Sequence, residues 1–183
     1  MEKLYPNGRF VEPKSATSHF HLREGDTVVD VGAGSGYFTP YLSQAVGDSG
    51  KVYACEIQKN LVETLNEIVT TANLPNVIPL WSDIEEQNGV QVKDGEADVI
   101  VMVNTLFQLE HKEQALQEIS RILHSGGKVC LIDWSESFSG MGPTKEMVFD
   151  QKSAEALFEA SGFVAENTFP AGDHHYGITF RKV

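Results

Sequence analysis

Cysteine is scarce in this chain, which has only two, Cys55 and Cys130. Both lie within apolar segments, VYACEI and KVCLID, so we interpret them as small buried hydrophobic residues, with a disulfide or a reactive thiol as the alternative. Two cysteines do not make a disulfide scaffold, and this usage suits a reducing compartment.

Long hydrophobic runs are also lacking. No run approaches the roughly 18 apolar residues of a membrane span, so we expect no membrane-spanning helix.

Positively charged residues are also few. Lys and Arg number 14 against 26 Asp and Glu, which gives a formal net charge of −12 and a pI near 4.8. Such a surface repels phosphate backbones and anionic lipid, so nucleic acid and membranes are disfavoured as partners. The N-terminal residues MEKLYPNGRFVEPK lack the apolar stretch of a secretory signal, and we expect a cytoplasmic protein. The acidity is concentrated in residues 81–118, which hold nine acidic and two basic side chains.

The pattern that is present predicts a single α/β domain over residues 1–183, with a polar lead over 1–25 and a short loop over 136–151. From Thr27 onward, short apolar segments alternate with segments of helical periodicity, which predicts a doubly wound parallel sheet with helices on both faces. The turn 170–173 joins the last two strands as a hairpin, so the last strand runs antiparallel to the others. The predicted strands span 27–32, 51–57, 77–83, 97–106, 128–135, 163–169 and 176–183, and the predicted helices lie near 16–20 and span 36–46, 60–72, 112–124 and 152–160.

A glycine-rich segment, DVGAGSG, follows the first predicted strand, and doubly wound sheets bind ligands at the carboxyl ends of their strands. Its spacing G-x-G-x-G lets the backbone turn sharply and lets a ligand approach the main chain, whereas a plain tight turn is the alternative. The spacing differs from the dinucleotide fingerprint and from a nucleophile elbow, and no P-loop lysine follows. The candidate ligand-binding residues in this segment are Asp30, Gly32, Ala33, Gly34, Gly36 and Tyr37.

Glu56 ends the second predicted strand, directly before Ile57 and 20 residues beyond Gly36. A carboxylate at this place can accept two hydrogen bonds from a ribose diol, and it would repel a 2′-phosphate. The alternative is a glutamate that is simply solvated at the end of its strand. With the glycine segment beside it, we favour Glu56 and Ile57 as ligand-binding residues.

Two more strand ends carry polar side chains. At Ser82-Asp83-Ile84 a carboxylate stands beside an apolar side chain, which suits an adenine ring; a helix N-cap is the alternative. Asn104 ends a very apolar strand, so its side chain is predicted either to line a ligand site or to cap a turn.

These segments together resemble the class I S-adenosylmethionine-dependent methyltransferases, and most closely the small group related to quinone-biosynthesis and arsenite methyltransferases. The resemblance runs from about Gly25 to the C terminus, and five motifs in order make it specific, although the glycine motif alone would be weak. The motifs are GDTVVDVGAGSGYFT, GKVYACEI, WSDIEE, ADVIVMVNTLFQLEH and ISRILHSGGKVCLIDW.

The resemblance implies a Rossmann-like seven-stranded sheet of order 3-2-1-4-5-7-6, with S-adenosyl-L-methionine as cofactor and S-adenosyl-L-homocysteine as product. It implies that Asp30 and the three glycines face the methionine end of the cofactor and that Glu56 binds the ribose hydroxyls. Asp83 and Ile84 would hold the adenine, and Asn104 would line the floor near the amino acid part. The acidic surroundings suit a cofactor that carries a sulfonium and an ammonium group.

The methyl acceptor is expected at the neighbouring strand ends. His111, Trp134 and His175 are the candidates on this side, whereas a surface histidine that opens a helix and a tryptophan packed in the core are the alternatives for the first two. His174 and His175 are adjacent near a strand start and therefore point to opposite faces. No side chain identifies itself as a general base, so the catalytic residue stays unassigned, and no metal site is predicted.

A small molecule is the expected acceptor. Both cysteines lie within strands, which disfavours arsenic. The loop over 136–151 is short for a substrate cap, so we expect an open acceptor site or one that a homodimer or a protein partner completes. Three alternatives stay open: a protein methyltransferase, a non-catalytic regulatory subunit that binds the cofactor, and a nicotinamide-dependent oxidoreductase, against which the glycine spacing counts.

Overall fold

The computed structural model describes residues 10–138, 140 and 142–183. The first nine residues of the predicted lead and positions 139 and 141 of the predicted loop lie outside the described residues. Within the described part, seven strands form one sheet. They are β1 (Thr27–Val31), β2 (Lys51–Glu56), β3 (Val77–Trp81), β4 (Ala97–Val103), β5 (Leu123–Trp134), β6 (Phe163–Pro170) and β7 (His175–Lys182).

The strand order is β3-β2-β1-β4-β5-β7-β6, which confirms the order implied by the family resemblance. The pairs among β1 to β5 are parallel, whereas β7 pairs antiparallel with both β5 and β6, as the terminal hairpin predicted. The sheet reverses its direction of growth between β1 and β4. This is the place at which doubly wound sheets form a ligand crevice.

Five helices cover the two faces of the sheet in the described residues. Phe20, Leu42 and Leu65 are fully buried against one face, and Leu116 and Phe158 are buried against the other. The first three helices therefore form one layer and the last two form the opposite layer. They are α1 (Pro13–His19), α2 (Thr39–Val46), α3 (Lys59–Thr71), α4 (Lys112–Ile122) and α5 (Gln151–Ala160), and a short 3-10 turn spans Leu106–Gln108.

Several predicted boundaries are wrong; the strand expected over 97–106, for example, ends at Val103. The helix expected from Gly36 begins at Thr39, because Gly36 has a positive φ of 79° and the glycine turn continues through Phe38. The strand expected from Lys128 begins at Leu123, directly after α4, and residues 124–127 bulge out of the pairing between β4 and β5. Gly126 and Gly127 lie in this bulge, and Gly126 has a positive φ of 79°.

Both cysteines are buried within strands, as the sequence predicted. Cys55 is 3% exposed and Cys130 is 0% exposed. Burial raises the pKa of each thiol to about 12, so both stay protonated at neutral pH.

A buried ion pair fixes the long connection between β3 and β4. The Glu118 carboxylate, in α4, accepts hydrogen bonds from the backbone N–H groups of Asn88 and Val90 at 3.0 and 3.1 Å. The same carboxylate accepts from the Arg121 guanidinium at 2.9 and 2.7 Å, and Arg121 also donates to the carbonyl of Val90 at 2.9 Å. This network holds the connection that follows Ile84 against the body of the domain.

Replacing Glu118 by Gln should therefore lower the free energy of unfolding by about 3 kcal/mol, since removing one partner of a buried pair leaves the other uncompensated. Glu110→Gln, an exposed change just before the same helix, is the matched control and should stay within about 0.5 kcal/mol of the wild type. Urea unfolding followed by circular dichroism measures both. Equal shifts for the two variants would contradict this role of Glu118.

Candidate functional site

The glycine segment after β1 is tied to the end of β2. The N–H groups of Gly32 and Ala33 both donate to the carbonyl oxygen of Cys55, at 2.9 and 3.0 Å. The N–H of Gly36 donates to the carbonyl of Ala33 at 3.0 Å and closes a turn. Gly32, Gly34 and Gly36 all have positive φ, at 72°, 57° and 79°. Residues other than glycine adopt such backbone angles only with strain.

The three glycines are required for different reasons. A Cβ on Gly32 would lie 2.6 Å from the hydroxyl of Thr105, and a Cβ on Gly36 would lie 3.0 Å from Leu65, so these two positions serve packing within the protein. A Cβ on Gly34 would meet open space, with the nearest atom 4.0 Å away. Gly34 is therefore the position at which a ligand can approach the backbone.

Glu56 is 6% exposed, so the interpretation as a solvated strand-end glutamate is wrong. One carboxylate oxygen accepts a hydrogen bond from the N–H of Gly34 at 3.0 Å, and the other accepts from the N–H of Gln58 at 2.9 Å. Each carboxylate oxygen has a second lone pair and can still accept from a ligand. Glu56 thus holds the glycine segment in place and keeps capacity for a diol.

A cavity of about 290 Å³ opens where β1, β2, β3 and β4 end. Three carboxylates, those of Glu56, Asp83 and Glu85, line it, and its lining within the described residues includes no Lys or Arg. The cavity therefore suits a ligand with positive charge better than one with phosphate groups. The predicted site residues that line it are Gly32, Gly34, Glu56, Ile57, Ser82, Asp83 and Ile84.

The segment after β3 forms one wall of this cavity. One oxygen of the Asp83 carboxylate accepts from the N–H of Glu85 at 3.0 Å, so it caps a turn and does not begin a helix. Ile84 is 8% exposed and Ser82 is buried, whereas Ile57 is half exposed at the mouth of the cavity. An apolar wall with a carboxylate beside it is the arrangement that the adenine hypothesis requires.

Five predicted residues do not line the cavity: Asp30, Ala33, Gly36, Tyr37 and Asn104. Tyr37 is 62% exposed, and Gly36 packs against α3. Asn104 has a positive φ of 56°, and its buried Oδ1 has no hydrogen-bond partner among the described residues.

Several lining residues were missed by sequence reasoning. Thr105 is buried and its hydroxyl donates to the carbonyl of Val31 at 3.0 Å, which joins the ends of β1 and β4. The signal for Thr105 was its place directly after Asn104, but the contact with Gly32 appears only in three dimensions. The other missed lining residues include Gln58, Leu61, Glu85, Gln108 and Leu109.

Asp30 lies near the end of β1, two residues before Gly32. It is 3% exposed, and its Oδ2 has no hydrogen-bond partner among the described residues. Burial, and to a smaller extent the negative charge of Glu56, raises the pKa of Asp30 to about 7. A buried carboxyl group without a partner beside a second carboxylate is the electrostatic condition that a cationic ligand relieves.

The residues predicted on the acceptor side are spread over three elements. His111 is exposed at the N-cap of α4, and its backbone N–H donates to Glu85. Trp134 and His175 are both buried and form a register pair between β5 and β7, with their ring centroids 4.2 Å apart. None of the three lines the cavity, and the exposure of His111 and the burial of Trp134 fit the alternatives of a surface histidine and a core tryptophan.

The Asp133 carboxylate connects this edge to the 3-10 turn. Its two oxygens accept from the N–H groups of Phe107 at 3.0 Å and Trp134 at 2.8 Å. Burial raises the pKa of Asp133 to about 6, and the hydrogen bonds from the backbone oppose this rise. Asp133 thereby fixes the turn that carries Gln108 into the cavity wall.

No group of three or more His, Cys, Asp or Glu side chains is placed to hold a metal ion in the part of the chain that the structure describes. None of the helices in that part is both long enough and apolar enough to cross a bilayer.

Comparison with known proteins gives concordant matches. A family model described as a methyltransferase domain matches residues 29–131. A crystal structure of an S-adenosylmethionine-dependent methyltransferase from Aquifex aeolicus superposes with a TM-score of 0.88 and 30% sequence identity, covering 95% of this chain and 91% of that chain.

The curated relatives that the chain matches are also methyltransferases. The ubiquinone/menaquinone biosynthesis C-methyltransferase UbiE of Legionella pneumophila (strain Lens) is 30% identical over 152 residues, and that of Hahella chejuensis is 26% identical over 148 residues. Each match covers 80% of this chain and 57% of the relative. The chain thus spans little more than half the length of these relatives.

The raised pKa of the Asp30 carboxyl group predicts that the stability of the protein depends on pH. The folded protein holds this proton up to a pKa of about 7, whereas the unfolded chain releases it near 3.8, so the contribution of Asp30 to stability falls as pH rises between these values. Asp30→Asn cannot lose a proton. The variant should therefore gain stability relative to the wild type by up to about 3 kcal/mol between about pH 5 and about pH 8.5.

Urea unfolding at both pH values measures this difference, and Asp48→Asn, at an exposed turn, is the matched control that should show no such gain. An Asp30→Asn variant whose stability difference from the wild type is the same at both pH values would contradict the raised pKa.

Proposed function

This chain belongs to the S-adenosylmethionine-dependent methyltransferase family, and we propose that it transfers the methyl group of the cofactor to a carbon atom of a small organic acceptor. The carbon acceptor rests on the two quinone-biosynthesis relatives, which this chain matches over little more than half of their length. We extend the proposal to a cytoplasmic location, since both thiols are buried and unpaired as in a reducing compartment.

The observation that supports the cofactor assignment most directly is the open position at Gly34, whose N–H is held by the buried Glu56 carboxylate. Gly34 lines the cavity with open space around it, and the Oδ2 atom of the nearby buried Asp30, whose pKa the charge of Glu56 helps to raise, has no hydrogen-bond partner among the described residues. The cofactor carries an ammonium and a sulfonium group, and both favour a carboxylate-rich site. When bound, it supplies a methyl group already activated for displacement by its sulfonium.

Different residues of the chain would bind different parts of the cofactor, according to their chemistry. In this proposal Gly34 faces the amino acid part of the cofactor, Glu56 accepts from the ribose hydroxyls, and Asp83 and Ile84 receive the adenine. Asp30 does not line the cavity, so it would act on the cofactor through its charge. The acidic lining also argues against nicotinamide dinucleotides. Their pyrophosphate would have to enter a cavity whose lining carries three carboxylates and, within the described residues, no basic side chain.

The protein contributes to methyl transfer mainly by holding the two reactants in line, because the methyl group is already activated. The rigid glycine segment and the Asp133-bound turn provide fixed walls for this purpose. A general base is needed only if the acceptor must lose a proton.

Calorimetric titration and an activity assay test this function. We expect S-adenosylmethionine and S-adenosylhomocysteine to bind, NAD not to bind, and S-adenosylhomocysteine to be released when a panel of hydroquinones is supplied. Mass spectrometry and NMR of the product locate the methyl group. NAD binding more tightly than S-adenosylmethionine would overturn the cofactor assignment, and a methyl group found on oxygen or nitrogen would overturn the carbon acceptor.

Gly34 allows a sharper test of the cofactor site. Gly34→Ala should weaken the binding of S-adenosylhomocysteine by at least about tenfold, since the new methyl group would occupy open space at a position that lines the cavity. Gly126→Ala is the matched control: Gly126 also has a positive φ and open space around it, but it lies in the bulge at the start of β5.

Both glycine variants should lose about 1 kcal/mol of stability from the strained backbone, because left-handed φ values cost this much for alanine. Only Gly34→Ala should lose ligand affinity. Equal affinities for the two variants would remove Gly34 from the binding surface.

A further inference from the structure

Trp81 is an unusual residue at one edge of the sheet. It ends β3, which is an edge strand in the described residues, and it is 52% exposed, although tryptophan is highly buried on average. Its indole N–H nevertheless has a specific partner, the carbonyl oxygen of Ile57 at 2.7 Å. The ammonium group of Lys59 lies 5.7 Å from the centroid of the same ring, within the range of a cation–π contact. The indole therefore contacts both the connection that follows β2 and the first residue of α3.

The connection that Trp81 contacts is also part of the wall of the cofactor cavity. Ile57 and Gln58 both line the cavity, and Leu61 lines it from the first turn of α3. Trp81 itself does not line the cavity. A hydrogen bond made outside the cavity thus acts on residues that form its wall.

Different groups hold this connection from two sides. On the side of the cavity, the N–H of Gln58 donates to the Glu56 carboxylate at 2.9 Å. On the outer side, the indole of Trp81 donates to the carbonyl of Ile57. Gln58 is the N-cap of α3 and makes no side-chain capping bond, so the start of the helix adds no such attachment.

We propose that Trp81 is a positioning residue for the adenosine part of the cofactor: its indole N–H fixes the carbonyl of Ile57 and keeps Ile57 and Gln58 in the conformation that forms the cavity wall. The assignment rests on the proposed function, in which Glu56 accepts from the ribose hydroxyls beside this wall. Trp81 acts through Ile57 and does not touch the cofactor.

The energetic reason is preorganisation of the wall. A ligand that binds a preformed wall does not have to order it, whereas a wall that is formed only part of the time lowers the apparent affinity by that fraction. One neutral hydrogen bond contributes enough free energy to change such a population several-fold. Because half of Trp81 is exposed, its replacement should change ligand affinity more than it changes the fold.

The two ends of the cofactor allow the effect of Trp81 to be located. In the proposed function Gly34 faces the amino acid part, whereas the residues that Trp81 holds lie beside the ribose at the end of β2. Loss of the indole N–H should therefore weaken a ligand that has only the adenosine part as much as it weakens the whole product.

Calorimetry compares S-adenosylhomocysteine with 5′-methylthioadenosine, which has the adenosine part and lacks the amino acid part. Trp81→Phe keeps an apolar ring and removes the N–H donor, and it should weaken the binding of both ligands by about fivefold. Trp134→Phe makes the same change at a tryptophan that does not line the cavity, and this matched control should keep both affinities within about twofold of the wild type. Trp81→3-benzothienylalanine, which replaces only the indole N–H by sulfur, should reproduce the loss.

A second measurement follows the hydrogen bond itself. Coupling between two events is reciprocal, so a bond that strengthens ligand binding is strengthened by the ligand. Saturating S-adenosylhomocysteine should therefore slow the hydrogen exchange of the Trp81 indole N–H by at least about threefold. The chain has two tryptophans, and the indole signal that is lost from the proton–nitrogen correlation spectrum of Trp81→Phe identifies this group.

Four results would overturn the role of Trp81. They are equal affinities for the wild type and Trp81→Phe, a loss confined to S-adenosylhomocysteine, an indole exchange rate that the ligand leaves unchanged, and full affinity with the benzothienyl side chain, which would assign the effect to ring packing. A wild-type protein that does not bind S-adenosylhomocysteine would instead overturn the proposed function, and this role with it.

Discussion

The hydrogen bond from the N–H of Gly34 to Glu56 is the contact on which the site depends most. It joins the glycine segment after β1 to the last residue of β2, and the other oxygen of the same carboxylate holds the N–H of Gln58 at the start of α3. Three elements therefore meet at one buried side chain. Because the carboxylate already accepts from the backbone, it has a fixed orientation before any ligand arrives, which lowers the entropic cost of binding.

The charge of this site is as important as its shape. Glu56 and Asp30 are both buried, and the negative charge of Glu56 adds to the burial that raises the pKa of Asp30 to about 7. Two carboxylates without a nearby cation are unfavourable in the empty protein. On the proposed function, the cationic cofactor would relieve this repulsion, so an arrangement that costs stability in the free protein would favour a cationic ligand.

The sequence predicted the architecture well and the contacts poorly. The apolar segments and the terminal hairpin predicted all seven strands, since buried parallel strands are visible as short apolar runs. The start of α2 and the start of β5 were misplaced, because a glycine turn and a bulge in the pairing with β4 set these boundaries. Local periodicity does not carry that information.

In the candidate site, too, the sequence predicted single residues better than the contacts between them. Glu56 and Asp83 were found because a carboxylate at a strand end is conspicuous in the sequence. Thr105 was missed, since only the folded chain brings its hydroxyl against Gly32. The pairing of Trp134 with His175 also depends on the register between β5 and β7, which follows from strand order and not from either segment alone.

The carboxyl edge of the sheet thus has two halves of different character. The half formed by β1 to β3 is acidic. The half formed by β5 and β7 carries the Trp134–His175 pair, in which His175 is uncharged at neutral pH, and one buried carboxyl group, that of Asp133, which accepts hydrogen bonds from the backbone. On the proposed function this division suits the reaction, because methyl transfer disperses a positive charge as the bond to sulfur lengthens. An apolar environment opposes a concentrated charge more than a dispersed one. The acidic half would then hold the cofactor, while the aromatic half favours the stage of the reaction at which the charge is most spread out.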